Sequence, residues 1–134
     1  MAKKPKIYDI FIVYSHPDRD WARKFARALE ERNASVWFAE DQIAPGDTVA
    51  EAINHGLRAS KTVAIVVSAK TSQMPWLLFE LGAAVGMGKR VVPIVPPGLD
   101  PSEFPVPLRL RRFLLRGNPD ETAAELLAEP AITA

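Results

Sequence analysis

The chain contains no cysteine. That excludes a disulfide framework, a thiol nucleophile and a thiolate metal site. Histidine is almost as scarce: His16 and His55 are the only two, which argues against a structural zinc cage. Neither sign of charge dominates. Seventeen basic and sixteen acidic residues leave a net +1, so the chain lacks the field of a nucleic-acid binder. No apolar run approaches the ~20 residues that cross a bilayer, and MAKKPK leads into a strand pattern instead of a signal-peptide core. What is present is 134 residues, 48% hydrophobic, enough for one domain with its own core. The expectation is a soluble, cytoplasmic domain over residues 7–128. A basic tail at 1–6 precedes it, and a linker-like tail at 129–134 follows.

Proline is abundant but unevenly placed. Seven of the twelve, from Pro93 to Pro119, crowd one stretch, so regular structure is expected mainly before it. Ile7–Tyr14 is dense in β-branched and aromatic residues and reads as a buried strand. Asp18 is placed to cap the helix that follows, with Trp21, Phe25, Ala28 and Leu29 on one face. Ser35–Phe38 reads as a second strand, and Pro45-Gly46 as a turn. Thr48-x-x-Glu51 has the form of a capping box opening a second helix, with Val49, Ile53 and Leu57 inward and His55 exposed. Thr62–Val67 is an apolar third strand. Trp76 to about Val85 reads as a third helix stopped by Gly86 and Gly88. Val91–Val95 is a fourth strand, whose Pro93 removes a ladder donor and points to a place near the sheet edge. Phe113–Leu115 offers a fifth strand, and Asn118-Pro119-Asp120-Glu121 starts a last helix with cap, proline and acidic first turn.

Strand and helix alternate throughout. That order predicts an α/β fold: a flavodoxin-like five-stranded parallel sheet with helices on both faces. Ligands in such sheets sit beyond the carboxyl ends of the strands at the switch point, which directs attention to Tyr14–Asp20 and Ser68–Trp76. A phosphoacceptor receiver domain shares this topology but needs an aspartate where Ser68 stands and a lysine where Pro96-Pro97 stand. Gly82, Gly86 and Gly88 end a helix instead of opening one, and Arg90 replaces the Ser or Thr of a phosphate loop. The first strand is followed by SHPDRD, not GxGxxG, and Ser15 and His16 are adjacent, with no GxSxG elbow.

One segment is chemically distinctive. From Thr71 to Gly88 the only charged side chain is Glu80. A carboxylate alone on an apolar helix is poorly solvated, which pushes its pKa upward, and such groups gather at functional sites. Trp76 lies four positions earlier, on the same helix face. The alternative is an ordinary ion pair between Glu80 and Arg58 or Arg90, with Trp76 filling the core.

YDIFIVYSHPDRDWA resembles the first strand and following loop of Toll/interleukin receptor (TIR) domains. VWFAEDQIAPGDTVAEAINHGLRASKTVAIVVS resembles their second strand, Pro-Gly loop, second helix and third strand. PWLLFELGAAVGMGKRVVPIV resembles their third helix and fourth strand, with the W-x-x-x-E spacing of the bacterial, NAD-cleaving branch. The resemblance runs from about Tyr8 to Val95 and fades beyond.

The resemblance implies two activities. One is NAD+ nucleosidase chemistry, giving nicotinamide and ADP-ribose or cyclic ADP-ribose, switched on by self-assembly in immune or antiphage signalling. There Glu80 is the catalytic residue, Trp76 shapes the pocket, and Tyr14, Ser15, His16 and Asp18, with the loop from Glu40 to Asp47, frame the nucleotide. No metal or cofactor is implied, since NAD+ is the substrate. The other activity is that of a non-catalytic scaffold assembling through the Glu40–Thr48 loop. Implied partners are NAD+, further copies of the domain and a fused or separate sensor or effector domain, with no nucleic acid and no membrane. His16 has an alternative as a flank of the helix start, and Asp18 as a helix cap. Ala39 stands where aspartate is frequent in the family, and Val13 where serine or threonine is. A nucleoside N-glycosidase or deoxyribosyl transferase of similar topology is a more distant reading.

Overall fold

The computed structural model describes residues 7–14, 16–38, 55–67, 88–99 and 113–128. Five parallel strands form one sheet in the order β2-β1-β3-β4-β5, as the alternation of strand and helix predicts. They are β1 (Tyr8–Val13), β2 (Val36–Phe38), β3 (Ser60–Val66), β4 (Arg90–Val95) and β5 (Leu114–Leu115). Two helices are described, α1 (Arg19–Glu31) and α2 (Pro119–Leu127), together with a 3-10 turn at His16–Asp18 and a helical turn over residues 55–58.

The central strands are apolar on both sides because both faces of the sheet are covered. Ile10, Ile12, Phe38, Ala64, Val66, Val92 and Ile94 point to one face, where Phe25 and Leu29 of α1 and Leu126 of α2 pack on them. Phe11, Trp37, Val63 and Ile65 alternate to the opposite face and are equally buried. There the helical turn at 55–58 approaches so closely that a Cβ on Gly56 would lie 2.8 Å from both Phe11 and Trp37. Leu57 is buried there, as its place on the inner stripe predicts.

Local chemistry sets the element ends. Asp9 and Ser35 exchange hydrogen bonds: the Asp9 amide donates to Ser35 Oγ, and the Ser35 amide donates to Asp9 Oδ2, both at 2.9 Å. This link sits just ahead of the ladder, so β2 starts at Val36, one residue later than expected. Helix α1 closes in a Schellman motif: the Ala34 amide donates to Leu29 O and the Asn33 amide to Glu30 O. Asn33 takes the left-handed φ of 67° that this stop requires. Gly88 has φ 74°, in the left-handed region that glycine adopts freely; the helix it is expected to stop lies outside the described residues.

Pro93 lies where the sheet tolerates it. Val67 donates to Ile94 O on the β3 side, and Arg116 donates to Val95 O on the β5 side. Alternation therefore turns the missing Pro93 donor toward β5, and the described pairing there begins one residue later, at Ile94 with Leu114. α2 starts as predicted, with Asn118 Oδ1 accepting from the Glu121 amide at 2.8 Å and Pro119 in the first turn. The rest of the second helix, the third helix, the Glu40–Thr48 loop, most of the proline-rich stretch and both tails lie outside the described residues. No helix among the described residues is long and apolar enough to cross a membrane.

Candidate functional site at the carboxyl edge of the sheet

β1 lies between β2 and β3, so the chain reverses its direction of winding at the β1–β3 pair. In parallel α/β sheets ligands bind beyond the carboxyl ends of the two strands at such a switch point. Tyr14 is the residue that leaves β1 there. It is half-buried and stacks on Phe38, the last residue of β2, with centroids 4.9 Å apart and planes 9° from parallel. An aromatic pair thus lines one side of the carboxyl edge.

The 3-10 turn after Tyr14 carries His16, Pro17 and Asp18. Asp18 does occupy the position preceding α1, but its carboxylate makes no capping bond, contrary to the sequence expectation. It accepts a 2.8 Å hydrogen bond from Arg116 Nη1 instead, with the Asp18 side chain 9% exposed. As the last residue of the 3-10 turn Asp18 has φ −96° and ψ 6°, outside the extended conformation that an N-cap usually takes. The Arg116 guanidinium also lies 5.3 Å from the Trp21 ring centroid. Trp21 Nε1 in turn donates to Gly117 O at 3.0 Å. Three contacts therefore tie the start of α1 to the end of β5.

Of the predicted site residues, Tyr14 is placed at the carboxyl end of β1 and His16 by its backbone in the turn that follows. Ser15, Glu40, Asp47, Trp76 and Glu80 lie outside the described residues, as does Ala39. Val13 is buried and on the Phe11 side of β1, where it packs instead of offering a polar contact. His55 is exposed on that side too, with its ring 6.2 Å from that of Trp37, away from the turn. Arg116 was not foreseen. Its one sequence signal is its position directly after the last strand, which the parallel topology places on the same edge as Asp18.

The family model described as TIR domain matches residues 10–128. The chain belongs to the TIR domain family. The match continues well past Val95, where the resemblance read from the sequence fades. This TIR chain is 33% identical over 79 residues to a protein of Acinetobacter baumannii named 2' cyclic ADP-D-ribose synthase AbTIR, covering 58% of this chain and 29% of that protein. It is 30% identical over 89 residues to a protein of Theionarchaea archaeon named NAD(+) hydrolase TcpA, covering 63% and 27%. Among solved structures, a metazoan TIR-STING receptor from C. gigas in complex with 2',3'-cGAMP superposes with a TM-score of 0.80 at 25% identity, over 100% of this chain and 42% of that one. The chain spans less than a third of the length of the curated relatives it matches.

Proposed function

We propose that this TIR domain cleaves NAD+ at the nicotinamide–ribose bond, with Glu80 as the catalytic carboxylate. The observation that carries the reading is similarity to two relatives named for NAD+ hydrolysis and cyclic ADP-ribose synthesis, in a chain that has Glu80 four residues after Trp76. The chemistry suits a chain without cysteine. Nicotinamide in NAD+ is already cationic, so the breaking C1′–N bond returns its electron pair to the ring nitrogen without a general acid. Positive charge then builds on the ribose as an oxocarbenium ion, as in glycoside hydrolysis. One carboxylate near the ribose hydroxyls stabilises that charge, most strongly where water is excluded. Water adding at C1′ and losing a proton gives ADP-ribose; attack by a hydroxyl of the same molecule gives the cyclic product.

In this reading Trp76 packs beside the nicotinamide or ribose. Tyr14, Ser15 and His16 follow β1 at its carboxyl end, and Glu40 and Asp47 close the site from the loop after β2. No metal or other cofactor takes part. Self-assembly completes the site, and a fused or separate sensor or effector domain supplies the trigger.

The test is incubation of the concentrated protein with NAD+, with nicotinamide followed by chromatography. Wild type is expected to release nicotinamide at a rate that rises faster than linearly with protein concentration, and Glu80→Ala to lose at least a hundredfold. Undiminished release by that variant would remove Glu80 from the mechanism. No release at concentrations where light scattering records assembly would favour the non-catalytic scaffold.

A further inference from the structure

We infer that Arg116 is a positioning residue for substrate binding, acting through Asp18 to hold the turn after β1 in place. The inference rests on the NAD-cleaving reading, in which the segment after β1 frames the nucleotide.

Arg116 is anchored in the sheet by its backbone. Its amide donates to Val95 O at 2.7 Å, so the residue extends the β4–β5 pairing and its backbone is part of the sheet. Its guanidinium reaches Asp18, 98 positions earlier in the chain, at 2.8 Å. The Arg116 side chain is 25% exposed and that of Asp18 9%, so this is no solvated surface pair. Removing the guanidinium takes the close opposite charge from a carboxylate that is nearly buried, which favours its shift toward water and a shift of the 3-10 turn with it.

The opposite end of the turn is held too. Tyr14 is stacked on Phe38 at the end of β2. Three residues separate Tyr14 from Asp18, so the short segment carries an anchor at each end, one on β2 and one beyond β5. Trp21 adds rigidity by placing its ring beside the guanidinium and donating to Gly117 O. A helix cap would have used the Asp18 carboxylate on the amides of α1. Here α1 begins without it, and the carboxylate ties the turn to the sheet.

Two measurements test this. In hydrogen exchange, Arg116→Ala is expected to speed exchange at the backbone amides of residues 14–16 and 18 at least tenfold while β1 and β3 stay protected. In NAD+ cleavage, the same variant is expected to raise KM about tenfold with kcat within about twofold, the signature of lost binding rather than lost chemistry. Asp18→Asn should do the same, the double variant should be no worse than either single one, and Arg116→Lys should restore both readouts. If Arg116→Ala does not fold, Arg116→Gln carries the test, with the same direction at smaller size. Unchanged exchange in the turn would overturn the inference, as would a fall in kcat at constant KM. Exchange needs no substrate. A wild type that leaves NAD+ intact would therefore sink the NAD-cleaving reading alone, with exchange still deciding whether Arg116 holds the turn.

Discussion

Gly56→Ala sets two well-known effects against each other. In an exposed helix, replacing glycine by alanine stabilises by up to about 1 kcal/mol, because the unfolded chain loses freedom. Here the new methyl group would lie 2.8 Å from Phe11 Cε2, 2.8 Å from Trp37 Cε3 and 2.9 Å from Phe11 Cδ2. Carbon atoms in good contact sit about 3.5–4.0 Å apart, so a displacement of roughly 0.6–1.2 Å is needed. Neither ring has room to yield. Phe11 is 0% and Trp37 2% exposed, and they pack edge to face at 4.9 Å on paired strands. Overpacking of this kind costs about 1–3 kcal/mol, which outweighs the helix gain. The expected outcome is a net loss of about 1 kcal/mol and a melting temperature lower by about 2–6 °C. Urea unfolding followed by tryptophan fluorescence reads it as a lower midpoint at unchanged slope. The penalty should shrink in a Phe11→Leu background, since the two sites share one contact. A midpoint equal to or above that of wild type would refute the packing argument.

Further substitutions probe the chain at its helix ends. Asn118→Ala removes the side-chain acceptor for the Glu121 amide and should cost about 1 kcal/mol in the same unfolding assay. At Asn33, whose φ is 67°, Asn33→Gly should be more stable than Asn33→Ala by about 1 kcal/mol, because only the glycine relieves the left-handed backbone. Equal midpoints for those two variants would show that the Schellman stop opens in solution.

Much of the architecture was legible in local chemistry. The apolar runs at Ile7–Tyr14 and Thr62–Val67 can be satisfied only between two covered faces, so their alternation with helical segments pointed to a parallel sheet before any contact was known. Asn118-Pro119 marked the start of α2 because its cap, first-turn proline and acidic residues all act within four positions. Boundaries were less legible where a partner from elsewhere takes part. Ser35 adjoins the apolar run of β2 and its carbonyl accepts from the Ile10 amide, yet its side chain and amide bond to Asp9. Asp18 shows the same limit at the candidate site: position made it a cap, and a guanidinium 98 residues away claimed it.

By itself, the sequence indicated the parallel sheet, the two-faced core and, through its motifs, the resemblance to the family. Each follows from periodicity, turn residues and motifs that act over a few positions. The absence of cysteine likewise limited the available chemistry from the outset. Only the tertiary structure decided which residues share the carboxyl edge. Tyr14 met Phe38 there, and Asp18 met Arg116, because parallel strands bring the ends of distant segments side by side. That pairing is a matter of sheet order and register, which local pattern does not encode.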